Sequence, residues 1–357
     1  MRIQKEILAS KISRLKAIVP KQTPMAVLQG VLVSDGWMTA TNMELTVKTK
    51  LDNADPNERM IIPADAFDLI ANLPSGEMEL TGSKELIKIS MDSIENEFST
   101  FDPDQFPSSK TTENDTVVTL DADELMEHLS NVLWAVAKKD AGSHVMKALC
   151  IDCHDGEANF VGLDGHTIAW DRIPYRGSLT LLIPRESVEA LLKLDMTGEV
   201  EIIQDRLHST FRCKDYIIET RLIDGEFFNY RKLFTGEAGK EIGIDRKIMI
   251  DAIKRAASCA PKSTALVLSF SGPTVTIKID SPKSKYKECL LLDEGTEDDF
   301  EIAFNPTILE NNLRAFRSEK MMMKIDGPKK PMILTASGTD LTTFALPVRM
   351  NTAPSNQ

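Results

Sequence analysis

Three stretches of this chain repeat one pattern at a nearly fixed interval, and that repeat restricts what the chain can fold into. They read MIIPADAFDLIANLPSGEMEL, LLIPRESVEALLKLDMTGEVEI and AFNPTILENNLRAFRSEKMMMKI. Their prolines, Pro63, Pro184 and Pro306, lie 121 and 122 residues apart. Two residues before each proline stands Ile61, Leu182 or Phe304, seven after it Ile70, Leu191 or Leu313, and ten after it Leu73, Leu194 or Phe316. A short apolar strand runs into the proline, which is tolerated in the first turn of a helix because its missing N–H would be unpaired there anyway. The spacing then predicts a helix of about three turns with one apolar stripe. Gly76-Glu77 and Gly198-Glu199 end the helix and start a strand, and Ser318-Glu319 is a weaker stop in the third copy.

Each copy also opens with an amphipathic helix, at about 5–18, 122–138 and 245–258. Asp121 and Asp245 suit the N-caps of the second and third. Alternating stretches such as VLVSDGWMTATNMELTVKTKL lie between the two helices, and Asp35-Gly36, Asp155-Gly156 and Ser271-Gly272 read as hairpin turns. Each copy is therefore helix, strands, helix, strands. The fold class is α+β in three tandem domains, 1–114, 115–238 and 239–357, with linkers near 108–117 and 234–243 and a frayed tail, TAPSNQ.

A chain of 357 residues exceeds one ordinary core and suits several domains. The charged N-terminus, MRIQKEILASKISRLKAIV, lacks the apolar core of a signal peptide. No stretch approaches the roughly 20 apolar residues of a membrane helix, so a soluble cytoplasmic protein is expected. Five sparse cysteines do not form a disulfide framework. Cys150-x-x-Cys153-His154 has the spacing of a haem attachment site, but residues three apart on a strand point to opposite faces. No second Cys/His pair gives a zinc site, and no phosphate-binding glycine loop or nucleophile elbow is present. Asp164-Gly165-His166 pairs an acid with a histidine, yet such close neighbours do not normally face each other. No enzyme activity, metal or cofactor is expected. A net charge of −12 argues against a protein that coats DNA with a basic surface.

The repeat, together with TRLIDGEFFNYRKLF, KALCIDCHDGEANFVGLDGHTIA, FNPTILENNLRAF and FALPVRM, resembles the bacterial DNA polymerase sliding clamps, the DNA polymerase III beta subunits. The resemblance runs from residue 1 to about 351. It implies a head-to-tail homodimer whose six domains close a ring, with sheets outside and helices lining the hole. Such a ring is a processivity factor of the replicative polymerase, held on double-stranded DNA by encirclement and associated with the nucleoid.

A ring resolves the charge problem, because sequence-independent phosphate contacts need only be weak and local. The first helix carries Lys5, Lys11, Arg14 and Lys16 against Glu6. The second copy offers Lys138, Lys139, Arg185 and Lys193, and the third Arg246, Lys247, Lys254, Arg255, Arg314 and Arg317. Acids concentrate elsewhere, as in residues 293–301. Lys21 and Gln22 fall where the family has a DNA-contacting loop, and Asn72 and Lys193 lie near the ends of second helices. The DNA-binding candidates are Lys11, Arg14, Lys21, Gln22, Asn72, Lys138, Lys139, Lys193, Lys254 and Arg317. An amphipathic helix also carries such residues simply as its solvated face.

The resemblance further implies a groove between the second and third domains that takes short linear motifs of polymerases, the clamp loader, repair polymerases, ligase and mismatch-repair proteins. The matching positions are Met146, Leu163, Gly165, His166, Thr167, Ile168, Phe228, Lys232, Leu233, Asn305, Ile308, Leu346, Pro347, Val348, Arg349 and Met350. An apolar surface with a few polar groups (His166, Asn305, Arg349) suits a peptide anchor, and Met146 and Met350 can adapt to varied partners. Leu163, Ile168 and Val348 are equally compatible with ordinary strand core. Thr167 and Phe228 stand where the family commonly has Arg and Pro, and His144 and Val145 replace aromatic residues. A repeat-built scaffold that binds proteins but not DNA is the competing reading.

Overall fold

The structure, a computed structural model, describes residues 1–52, 58–108, 116–138, 142–234 and 239–349. Lys139 and Met350, most of the 108–117 linker, residues 235–238 of the second linker and the tail lie outside them.

The first repeat runs β1 (Arg2–Gln4), α1 (Lys5–Leu15), β2 (Gly30–Ser34), β3 (Trp37–Thr41), β4 (Leu45–Lys50), β5 (Met60–Pro63), α2 (Phe67–Asn72), β6 (Glu77–Gly82), β7 (Leu86–Met91) and β8 (Ile94–Ser99). The second runs β9 (Thr116–Asp121), α3 (Ala122–Leu133), β10 (Ala148–His154), β11 (Glu157–Leu163), β12 (Thr167–Pro174), β13 (Leu179–Pro184), α4 (Arg185–Leu191), β14 (Glu199–Gln204), β15 (His208–Arg212) and β16 (Tyr216–Arg221). The third runs β17 (Lys240–Asp245), α5 (Arg246–Ser258), β18 (Leu266–Ser271), β19 (Thr274–Ser281), β20 (Ser284–Leu291), β21 (Phe300–Phe304), α6 (Pro306–Arg314), β22 (Lys320–Ile325), β23 (Met332–Thr335) and β24 (Thr342–Ala345).

Each repeat makes two antiparallel four-stranded arrays in the same order. One joins its first strand to the three strands after its second helix: β1-β6-β7-β8, β9-β14-β15-β16 and β17-β22-β23-β24. The other joins the three strands between the helices to the strand before the second helix: β5-β2-β3-β4, β13-β10-β11-β12 and β21-β18-β19-β20. Arrays from successive repeats fuse edge to edge. β4 pairs with β16, placing Lys48 opposite Ile217, and β12 pairs with β24, placing Trp170 opposite Thr342.

The chain forms two compact units, and these cut across the sequence repeat. One comprises Met1–Glu127 and Glu186–Ile223, the other His128–Arg185 and Asp224–Gln357. Each holds one eight-stranded and one four-stranded sheet, so the middle repeat gives one array to each unit.

In the first unit, α1 buries Leu8, Ile12 and Leu15 and packs on α2, which buries Phe67 and Ile70. In the second, α5 buries Met249, Ile250, Ile253 and Ala256 and packs on α6, which buries Leu309 and Leu313. These are the stripes that helical spacing dictates. Asp121 Oδ1 accepts from Asp123 N (2.9 Å) and Glu124 N, and Asp245 Oδ1 from Ile248 N (2.9 Å), so both act as the expected N-caps.

Several local expectations are corrected. α1 stops at Leu15 and α3 at Leu133, short of 18 and 138, and Ala135 and Val136 continue in tight turns. The second helices span six, seven and nine residues, less than about three turns. Pro63 and Pro184 close the strands β5 and β13; only Pro306 enters a helix, behind Asn305, whose side chain caps Thr307 N and Ile308 N. Both β5 and β13 are edge strands, where a residue without an N–H leaves no ladder bond unmade. The second linker also ends inside β17. Asp35-Gly36 and Asp155-Gly156 turn with positive φ at both residues (53° and 77°, 57° and 86°), the primed geometry that matches strand twist. The third hairpin turns one residue later, at Gly272-Pro273, with Gly272 at φ 52°.

Candidate functional site

All the described groove positions fall in the second unit, and named contacts draw them together. Leu346 N donates to His166 O (2.9 Å), setting the end of β24 beside the β11–β12 turn. Val348 N donates to Ala303 O (2.8 Å), which lays the following segment along β21, just before the Asn305 cap. Ala137 N donates to the carbonyls of both Met146 and Leu163. Gly225, at φ 141°, passes so close to Val145 that a Cβ there would lie 2.7 Å from its Cγ1.

The segment carrying Phe228, Lys232 and Leu233 is anchored by buried aromatic and polar groups. Tyr230 is 4% exposed and meets Trp170 edge-on, and Phe234 packs between Trp170 and Phe344. Asp152 of β10 accepts from the Tyr230 hydroxyl (3.0 Å) and Arg231 (3.1 Å) on one oxygen and contacts His154 Nδ1 (2.5 Å) on the other. Burial, and then the Asp152 charge, push the Tyr230 phenol well above its ordinary pKa. Asp152, Tyr230 and Arg231 were not among the predicted site residues. Their only sequence signal is an acid in the apolar run ALCIDC and a Tyr-Arg pair in FFNYRKLF.

The predicted set divides by exposure. Phe228 (48% exposed) and Leu346 (38%) present apolar side chains to solvent, with Gly165, His166, Lys232 and Arg349 also exposed. Met146, Leu233, Asn305, Ile308, Pro347 and Val348 are half-buried. Leu163, Ile168 and Thr167 are buried. Leu163 and Ile168 are cross-strand partners, on the same sheet face as Trp170. Thr167 points to the opposite face. Its hydroxyl lies 2.8 Å from Phe344 O and 3.1 Å from Asn312 Oδ1 of α6, so it is turned inward. Asn312 in turn donates to Ile308 O (2.8 Å), a buried link that sequence reading missed.

The other chemical readings resolve geometrically. Cys150 pairs with Val161 on the Trp170 face and Cys153 with Ala158 on the opposite face, and both thiols are buried. Burial pushes the Cys153 thiol up to about 11 and holds the Cys150 thiol well above its ordinary value. A pair pointing opposite ways does not grip one group. Asp164 Oδ1 accepts from the backbone N–H groups of His166 and Thr167, so it shapes the turn rather than orienting the imidazole.

The cationic candidates are spread over both units. In the first, Lys21, Gln22, Asn72 and Lys193 are exposed. Lys11 reaches Thr49 Oγ1 (3.3 Å), and Arg14 is engaged by Asp195 (2.6 Å) and the Tyr216 hydroxyl (2.7 Å). Arg14 thus ties α1 to β16, its charge partly neutralised. In the second unit, Lys138, Lys254 and Arg317 are exposed. Arg185 instead donates to the carbonyls of Leu133 (2.9 Å) and Val136 (2.6 Å) at the C-terminal end of α3.

Among the described residues, no helix is long and apolar enough to cross a membrane, and no group of three or more His, Cys, Asp and Glu could hold a metal ion. Residues 231–349 match the family model of the DNA polymerase III beta subunit, C-terminal domain. The chain is 24% identical over 364 residues to the beta sliding clamp of Chlamydia pneumoniae, covering 98% of both chains. It is 22% identical over 366 residues to that of Pseudomonas aeruginosa, covering 98% of this chain and 99% of the relative. The fold is shared with the crystal structures of the Pseudomonas aeruginosa DNA polymerase sliding clamp (TM-score 0.90) and the Thermotoga maritima DNA polymerase III beta subunit (TM-score 0.89). Each is 20% identical, with 98% of this chain and 99% of the other covered. From end to end, the chain is a relative of the beta sliding clamps, the DNA polymerase III beta subunits.

Proposed function

We propose that this chain is a sliding clamp that works by binding alone: two copies, joined head to tail, encircle duplex DNA and tether the replicative polymerase to it. The observation that carries this reading is the fate of the outermost strands. In each repeat the last strands of the two arrays are built to pair with a neighbouring repeat, as β4 does with β16 and β12 with β24. Their counterparts at the two ends of the series, β8 and β20, have a partner on one side only among the described residues. A second copy supplies both missing partners, and a heterologous contact repeated around an axis closes a ring. The domains in this reading are 1–114, 115–238 and 239–357, supported by the threefold strand order.

Duplex DNA is held without base readout, through residues such as Lys21, Gln22, Asn72, Lys138, Lys193, Lys254 and Arg317. Lys11 and Arg14 help less directly, by bracing α1 against β4 and β16 respectively. Partner proteins, namely polymerases, the clamp loader, repair polymerases, ligase and mismatch-repair proteins, dock short motifs on the surface that includes Phe228, His166, Leu346 and Arg349. Such work places the protein in the cytoplasm, on the nucleoid.

The test is topological. Loaded by its ATP-driven loader, the protein should stay on circular DNA through a gel-filtration column and leave when a single cut linearises that DNA. Equal retention on both forms would instead support ordinary surface binding, and absence from both would support the protein-only scaffold.

A further inference from the structure

β8 and β20, whose counterparts in the other repeats pair with a neighbouring repeat, carry opposite charge on matching faces. In β7, Ile87, Ile89 and Met91 are buried, and they lie opposite Phe98, Asn96 and Ile94 of β8. Glu95, Glu97 and Ser99 therefore point to the other, outer face. In β19, Val275, Ile277 and Ile279 are buried opposite Leu290, Glu288 and Tyr286 of β20. Lys285, Lys287, Cys289 and Leu291 are thus outward, and Leu291 is 78% exposed. One edge presents two carboxylates and the other two ammonium groups.

Two ion pairs at the fused seams inside the chain have the same polarity. Across β4·β16, Lys48 lies 3.5 Å from Glu219, both on the outer face. Beside β12·β24, Arg172 of β12 lies 3.9 Å from Asp340, two residues before β24. In both pairs the base comes from the strand equivalent to β20 and the acid from the chain segment equivalent to β8; the more exposed Arg221 of β16 and Glu44, one residue before β4, pair in the opposite sense (3.4 Å). Counted through the registers from the first residue of β6 and of β14, Glu97 takes the place of Glu219.

We propose that this charge pattern selects the partner edge: Glu95 and Glu97 of β8 in one copy recognise Lys285 and Lys287 of β20 in a second copy. The proposal rests on the clamp reading, which supplies the pairing of these two edges. With β20 matched to β4 and β12 at the hairpin before each, carrying over the β4·β16 register sets Glu97 opposite Lys287, Phe98 opposite Tyr286 and Ile94 opposite Leu290. Carrying over the β12·β24 register sets Glu95 opposite Lys287 and Glu97 opposite Lys285. Acid meets base in both. Pairing β8 with β8 would set acid beside acid, and β20 with β20 base beside base, and like charges across a strand pair are destabilising. The pattern therefore excludes head-to-head association, which would leave the ring open, and makes the seam weaken with salt. The intrachain contacts of Glu95 with Lys88 (2.9 Å) and Lys285 with Asp280 (3.3 Å) are exposed pairs that exchange at little cost.

The experiment is a charge swap read by sedimentation equilibrium at low and high salt, with circular dichroism to verify folding. Glu95→Lys with Glu97→Lys on one chain, and Lys285→Glu with Lys287→Glu on another, should each weaken dimerisation about tenfold or more at low salt. An equimolar mixture of the two variants should dimerise as the unmodified chain does, because both seams of the mixed dimer again set acid against base. Variants that dimerise as tightly as the unmodified chain, or a mixture no better than its components, would overturn the proposal while leaving the clamp reading intact. An unmodified chain that stays monomeric at every concentration would overturn both.

Discussion

Thr167, the first residue of β12, sits with its hydroxyl 2.8 Å from the carbonyl of Phe344 in β24, a residue from the far end of the chain. The side chain is buried, and the same oxygen lies 3.1 Å from Asn312. This residue clasps the second and third repeats together. Thr167→Val keeps the shape and deletes the donor, leaving a buried acceptor unmatched. It should lower stability by about 1–3 kcal/mol, read as a shift in the urea midpoint of the second unit.

Gly162 lies where β11 runs against the end of α3. A Cβ there would fall 2.3 Å from the carbonyl oxygen of Val132 and 3.0 Å from Val136 Cγ2. Backbone cannot swing aside as a flexible side chain can. Gly162→Ala should cost about 1–3 kcal/mol, whereas Gly156→Ala, with no atom near its Cβ position, is limited to the strain of its positive φ. Thermal unfolding of the two variants side by side checks the contrast.

Phe228 and Leu346 are the most exposed apolar side chains among the described residues of the proposed docking surface. Phe228→Ala and Leu346→Asp should each weaken binding of a labelled peptide carrying a partner's linear motif by about tenfold or more, with little change in unfolding temperature. Fluorescence anisotropy gives the affinity. Unchanged binding in both variants would move the docking surface elsewhere.

Alkaline pH should destabilise the fold in a defined window. Burial raises Cys153 from an ordinary 9.0 to about 11, and burial with the Asp195 hydrogen bond raises Tyr216 from 10.0 to about 12. Both groups are neutral when protonated, and folding holds that proton more tightly. Their contribution is fully present below pH 9 and is lost as pH rises through 11 and 12. Urea midpoints measured from pH 8 to 12 should fall through this range, and Tyr216→Phe should remove part of the fall above pH 10.

Much of the fold is readable from spacing. The three prolines mark the point where each middle array ends and the second helix begins, and Asp121 and Asp245 cap the helices they precede. Less readable is which side of the boundary a proline occupies. Pro63 and Pro184 sit on edge strands, and a strand becomes an edge only when the sheet assembles. The site shows the same division. Exposed members such as His166 and Arg349 follow from position along the chain, but the inward turn of Thr167 depends on Asn312, 145 residues away. Arg14 and Arg185 look like solvated helix cations until their partners are known. Those partners, Asp195 with Tyr216 and two carbonyls at the end of α3, come from parts of the chain that local pattern does not connect.

The fusion of β12 with β24 bears on how this protein can be divided in the laboratory. A fragment truncated after the second repeat would keep a complete sequence module yet strip β12 of its neighbour. Its bare ladder of N–H and C=O groups would invite aggregation. Similarity in sequence thus marks where the modules were copied, and the hydrogen-bonded sheets mark where the molecule resists being cut.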